Sequence, residues 1–183
     1  DGDCYDDSPR HEVTISDDME VMTTEVTQGL YESVMGSNPS KFTSCGLDCP
    51  VEQVSWVDAI AFSNALNREL GLDVCYTKTG EDVSWSALDC NGWRLPTEAE
   101  WEYLARGGEE HIYSGSNNVG AVAWYGEDYS TGSTHPVGQK AANGFGLFDM
   151  SGNVWEWTWD WSKRDYSGDS VTDPRSPSSG SER

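Results

Sequence analysis

Past Gly108 the apolar residues of this chain lose all helical spacing. The last 75 of its 183 residues are dominated by Gly, Ser, Asn, Asp and aromatic side chains. A stretch this long without periodicity cannot form the layers of a helical bundle or a parallel sheet. It must be ordered as long loops with short strands, packed on whatever the first half supplies. Aromatic residues make up 11% of the chain, and large rings that demand burial argue against a disordered linker. Residues 167–183 differ: with hardly an apolar side chain, they are expected to form an extended tail.

The regular elements fall before Gly108. Arg10-His11-Glu12-Val13-Thr14-Ile15-Ser16 alternates polar and apolar residues as a half-buried strand does, and residues 19–22 suggest a second short strand. Thr27 is placed to cap a short helix carrying Leu30, Tyr31 and Val34, with Gly36 as its left-handed stop. Residues 37–50, rich in Ser, Asn, Pro and Gly, read as a loop. Ser55-x-x-Asp58 resembles a cap, and Trp56, Ile60, Ser63, Leu66 and Leu70 then share one helical face. Residues 75–90 look like a hairpin or long loop closed by a disulfide. Pro96-Thr97-Glu98-Ala99-Glu100 is a capping box that starts a helix through about Arg106, ended by Gly107 and Gly108. The length fits one domain, no internal repeat is present, and the fold class is α+β, irregular and loop-rich.

Thirty-two acidic residues against eleven Lys and Arg give a net charge of -21, which repels a phosphate backbone and excludes nucleic acid as a partner. No run of 18 apolar residues occurs and the N-terminus is acidic, so neither a membrane span nor a signal peptide is expected. Cys4, Cys45, Cys49, Cys75 and Cys90 lie in polar, turn-rich surroundings. This suits disulfides in an oxidising, extracytoplasmic compartment, periplasmic or secreted. Proximity favours Cys45 with Cys49 and Cys75 with Cys90, leaving Cys4 over, although four cysteines allow three pairings. Cys45 and Cys49 as thiolates would alternatively suit Cu(I). His11, His111 and His135 are too scattered for an iron or zinc centre, and no Gly-x-Ser-x-Gly elbow occurs.

The densest constellation is Asp149-Met150-Ser151-Gly152-Asn153-Val154-Trp155-Glu156-Trp157-Thr158-Trp159-Asp160-Trp161. At strand period its four tryptophans would share one face, either filling the core or lining a solvent-facing groove for a peptide or sugar. Asp149 and Glu156 bracket a glycine-containing turn in which the carbonyls of Gly152 and Val154 can point inward. Two carboxylates and two carbonyls from one short segment are the hard oxygen donors that calcium favours.

Four segments in this order resemble the formylglycine-generating enzyme, or sulfatase-modifying factor, family: Thr24-Glu25-Val26-Thr27, Pro50-Val51-Glu52-Gln53-Val54-Ser55-Trp56, the stretch from Gly92-Trp93-Arg94-Leu95-Pro96 through Trp101-Glu102-Tyr103, and Gly146-Leu147-Phe148-Asp149 through Trp157. The resemblance spans about residues 9–161 and implies an irregular α+β domain related to the C-type lectin fold. It also implies structural calcium on the side chains of Asp149 and Glu156 and the carbonyls of Gly152 and Val154. A second family calcium site, corresponding to residues 117–132, cannot be carried over residue by residue. Active members oxidise the cysteine of a sulfatase Cys-x-Pro-x-Arg segment to formylglycine with oxygen and Cu(I). Their two copper cysteines follow an Arg-Gly-Gly-Ser-Trp motif that has no counterpart in these 183 residues, so the resemblance supplies no copper ligands here. Three readings stand: part of a formylglycine-generating-type oxidase, a non-catalytic lectin-like domain that binds a protein or other ligand, or a structural domain of an exported protein.

Overall fold

The computed structural model describes residues 11–80, 82–85, 89–126, 132–162 and 168–175. In chain order it contains β1 (Val13–Thr14), α1 (Gln28–Met35), a 3-10 turn (Thr43–Cys45), α2 (Trp56–Leu70), β2 (Tyr76–Thr79), β3 (Asp82–Trp85), α3 (Glu98–Arg106), the single turn α4 (Val119–Val122) and β4 (Val171–Thr172). Helix and strand mix in a loop-rich domain, as expected.

The helix boundaries follow their caps. The Thr27 side chain accepts the Leu30 N–H, and Gly36 closes α1 at φ 74°. Reciprocal capping boxes, Ser55 with Asp58 and Thr97 with Glu100, open α2 and α3, and Gly71 and Gly107 end them in the left-handed conformation. Each box satisfies two amide donors that a helix start leaves orphaned. Asp160 adds to the second, its Oδ2 accepting the Glu98 N–H at 2.6 Å, where an acidic group also complements the helix dipole.

Helix α2 divides two core clusters. Phe62 and Leu66 meet Tyr31 of α1, with Met22, Val26, Val51 and Trp93 around them, and the Tyr31 and Phe62 rings stack at 5.3 Å. Ile60 turns to Cys75, Tyr76 and Trp85, joined by Trp56 and Trp159. The second cluster is fixed by the antiparallel β2–β3 hairpin, with Tyr76 opposite Trp85, and by the Cys75–Cys90 disulfide.

Asn67 ties α2 to the loop beyond the hairpin. It is fully buried; its Oδ1 accepts the Trp93 N–H at 2.6 Å and its Nδ2 donates to the Trp93 carbonyl at 2.9 Å. Gly92 sits so close that a Cβ there would lie 2.7 Å from Asn67 Nδ2. Asn67→Ala leaves the partly buried N–H and carbonyl of Trp93 without this partner and is expected to cost about 1–3 kcal/mol, read by urea unfolding; a loss below about 0.5 kcal/mol would refute the clamp.

Three expectations need correction. Residues 19–22 are not a strand; Met22 instead packs on the α1–α2 cluster, so its burial comes from helix contact and not from a sheet face. The strand at residues 10–16 shrinks to β1, which pairs in parallel with β4, Val13 opposite Val171 and Thr14 opposite Thr172. Residues 155–161 form no strand either, so their tryptophans do not share a face. Trp159 stacks on Tyr76 at 5.3 Å inside the core, whereas Trp155 points wholly into solvent.

Within the stretch read as an extended tail, residues 168–175 are tied to the body. Ser16 donates from its N–H and hydroxyl to the Asp173 carboxylate at 2.8 and 2.6 Å, which holds that carboxyl below its usual pKa. The Arg175 guanidinium lies 4.3 Å from the centre of the Trp85 ring.

Candidate functional site

The acidic turn at residues 149–156 is folded by two backbone conformations that few residues accept. Asp149 and Asn153 sit at φ 60° and 66°, the left-handed region that Asn and Asp tolerate better than other side-chain-bearing residues. Between them Gly152 passes so close to the Trp124 carbonyl that a Cβ would fall 2.2 Å from its oxygen. The turn therefore docks flush on Trp124, and the Asn153 N–H donates to that same carbonyl at 2.9 Å.

Asn153 is the hub. Its Oδ1 accepts the His135 N–H at 3.0 Å, while its Nδ2 donates to the His135 carbonyl at 3.1 Å and to Glu25 Oε2 at 2.8 Å. The other Glu25 oxygen, Oε1, accepts the Val154 N–H at 3.1 Å. Glu25 reaches this place because residues 26–28 are laced to the loop before α2: Val51 N–H to the Val26 carbonyl, Gln28 N–H to the Cys49 carbonyl, and the Thr27–Pro50 bridge.

Asp149 is 3% exposed. Its Oδ2 accepts the Gly138 N–H at 2.7 Å, and its Oδ1 is buried without a hydrogen-bond partner. A buried carboxylate oxygen left unpaired is costly, and a cation is the partner that would relieve it. Glu156 accepts from the Trp101 indole N–H at 2.5 Å. Next to it the Trp157 indole donates to the Val54 carbonyl at 2.9 Å, so that, together with the Val154 N–H on Glu25, the segment is pinned on both sides of Trp155.

The electrostatics reflect crowded negative charge. Burial, then Glu156 and Asp149, push the Glu25 carboxyl up to about 9, against the opposing bonds from Val154 and Asn153. Glu156 exposes part of its surface, yet crowding of its carboxyl by protein raises its pKa; the Trp101 bond pulls it down and Asp149 adds to the rise. Among the described residues, no group of three or more His, Cys, Asp and Glu side chains is set to hold a metal. The three carboxylates influence one another without converging on one point, and any cation here would also need backbone oxygens.

The four residues expected to ligate calcium, Asp149, Gly152, Val154 and Glu156, thus lie in one folded turn. Glu25 was not among them. Its only signal in the sequence was its place in the motif Thr24-Glu25-Val26-Thr27; nothing local foretells a contact 128 residues away. The expected disulfides, Cys45–Cys49 and Cys75–Cys90, are both present, and Cys4 lies outside the described residues.

Comparison with known proteins adds the following. A model of the sulfatase-modifying factor enzyme 1-like domain matches residues 1–180. The chaperone protein LppX of Paenibacillus barcinonensis is 42% identical over 182 residues, covering 81% of this chain and 64% of that protein. The formylglycine-generating enzyme of Bos taurus is 34% identical over 150 residues, 74% of this chain and 33% of its own length. Among solved structures, Treponema denticola variable protein 1 matches with a TM-score of 0.76 at 39% identity, covering 85% of this chain and 67% of its own. CarF matches at 0.65 and 29%, covering 84% and 75%. The chain thus spans under two thirds of LppX and about one third of the bovine enzyme.

Proposed function

The chain belongs to the sulfatase-modifying factor family, and from that membership we propose a formylglycine-generating-enzyme-like domain that engages a polypeptide at the outward-facing part of its tryptophan segment and is braced by calcium. The observation that carries this reading is Trp155, whose side chain is fully exposed (101%) while Val154 before it and Glu156 after it are hydrogen-bonded into the fold. An exposed indole on a segment tied down before and after it is suited to anchor a bound polypeptide. The names of two relatives, a chaperone protein and a formylglycine-generating enzyme, support a polypeptide as the bound class, with a Cys-x-Pro-x-Arg segment as the specific candidate.

Copper does not fit the described residues. Cu(I) favours thiolates, and Cys45, Cys49, Cys75 and Cys90 are consumed in disulfides, so no oxidation step runs through them. The two disulfides support an extracytoplasmic setting. Among the described residues, no helix is long and apolar enough to cross a membrane.

Calcium does fit in donor chemistry. Asp149 and Glu156 through their carboxylates, with the Gly152 and Val154 carbonyls, would hold the ion, and the orphaned Asp149 Oδ1 is the observation that supports it. Bound there, calcium would neutralise the carboxylates and stiffen the turn; its role is structural. Residues 127–131, within the region of the second family site, lie outside the described residues, and that site is not assigned.

The binding reading is tested with a labelled Cys-x-Pro-x-Arg peptide, titrated with and without copper. Saturable binding independent of copper is expected, weakened about tenfold or more by Trp155→Ala. Failure to bind, or equal binding by the variant, would overturn it. Copper-dependent appearance of a hydrazide-reactive aldehyde on the peptide would instead establish the oxidase reading.

A further inference from the structure

We infer that Glu25 is a positioning residue of the acidic turn, fixing Asn153 and Val154 so that the turn's oxygen donors face a cation. The inference rests on the calcium reading above and extends it to a residue outside the expected ligand set. Both Glu25 oxygens are already taken, Oε1 by the Val154 N–H at 3.1 Å and Oε2 by the Asn153 amide at 2.8 Å. A carboxylate whose oxygens point at amide donors is not itself a free ligand. It acts through the residues that it grips.

The grip also has the right place and rigidity. Val154 is one of the expected carbonyl ligands, and the Glu25 bond fixes the peptide unit that leads into it. Asn153 stands in a left-handed conformation at φ 66°, and its amide is clamped between Glu25 and the His135 backbone. Glu25 itself is 9% exposed and anchored through the backbone pairing of residues 26–28. The grip spans 128 and 129 residues of sequence, so it fastens the segment before α1 to the acidic turn. Outer partners that orient ligands typically contribute about 10- to 100-fold to metal affinity.

The test uses the full chain and terbium(III) as a luminescent stand-in for calcium, with the Trp101 indole on Glu156 as sensitiser. The native chain is expected to give saturable emission that calcium displaces. Asn153→Gly keeps every carboxyl group and accepts the positive φ, but removes the amide bridge; Glu25→Asp keeps the carboxyl group and shortens the reach. Both are expected to weaken terbium binding about 10- to 100-fold, with near-ultraviolet circular dichroism in chelator confirming a native fold. Should Glu25→Asp fail to fold, Asn153→Gly carries the test alone. Native emission with variant affinities within about twofold of it would overturn the Glu25 inference and leave the cation site standing. Absence of uptake by the native chain would overturn both, so the two failures are distinguishable.

Discussion

Arg94→Ala is expected to remove about 3–5 kcal/mol of stability, a fall in Tm on the order of 10 °C for a domain of this size. Arg94 makes a bidentate pair with Glu100, Nη1 to Oε2 at 2.7 Å and Nη2 to Oε1 at 2.8 Å, and the side chains are only 15% and 6% exposed. The same Glu100 carboxylate accepts the Thr97 N–H at 2.7 Å, so it opens α3 as well as pairing with Arg94. Deleting the guanidinium strands a buried charge at a helix start, and it also removes one cation from the Trp85 ring, where Arg94 lies 4.9 Å from the centroid. Arg106 and Glu102 provide the contrast. They pair four residues apart on the same helix at 64% and 59% exposure, where solvent screens the interaction, and Glu102→Ala is expected to change stability by less than about 1 kcal/mol. Equal effects of the two substitutions in urea unfolding would refute this ranking. Replacing Arg94 and Glu100 together by Met should recover much of the loss, because it is the unpaired charge that costs most.

The second large effect is a calcium response whose size depends on pH. In chelator, stability is expected to fall as pH rises. The Glu25 carboxyl titrates near 9 in the folded protein against an ordinary value of 4.5, so between those values the folded state keeps a proton that the unfolded chain has released. Each pH unit in that window then removes up to ~1.4 kcal/mol. Glu156, raised by crowding and by Asp149, shifts the balance the same way. Calcium at the turn would supply the positive charge that the proton provides at low pH. It should therefore raise Tm little near pH 5 and much more near pH 8, where a hundredfold excess over Kd contributes about 2.7 kcal/mol. Glu156→Ala should abolish most of that gain. A melting temperature at pH 8 that is the same in chelator and in excess calcium would exclude the ion.

What could be read from the sequence were features written in neighbouring residues. Thr27 with Gly36, Ser55 with Asp58, and Thr97 through Glu100 with Gly107 placed the three longer helices, because caps act within one turn. Cys75 and Cys90 closing a hairpin was legible for the same reason. The alternation Trp155, Trp157, Trp159 and Trp161 misled, because period two implies a strand only where a partner strand exists. Here each indole answers to its own neighbour: Trp157 to the Val54 carbonyl, Trp159 to Tyr76 and Trp85, Trp155 to water. Glu25 and β4 were illegible as a matter of chain separation: an acid beside Val26 gives no sign of contact with Asn153, and the pairing of Val171 with Val13 needs the whole intervening fold. The acidic turn itself lies between, since its positive-φ residues and its glycine are local, while its seating depends on Gly138 at Asp149 and on Trp124 at Gly152 and Asn153.

The parallel pairing of β1 with β4 has a mechanical consequence. The Val171 N–H bonds to the Glu12 carbonyl at 3.0 Å and the Asp173 N–H to the Thr14 carbonyl at 2.9 Å, with Ser16 locked on the Asp173 carboxylate. Because these strands run the same way, tension drawn across the two flanks of the domain slides them lengthwise and loads all of these bonds at once, where an antiparallel pair would unzip one at a time. Pulled from both sides, the domain should yield abruptly at this clasp, at a force set by its rate of rupture and not by its equilibrium stability.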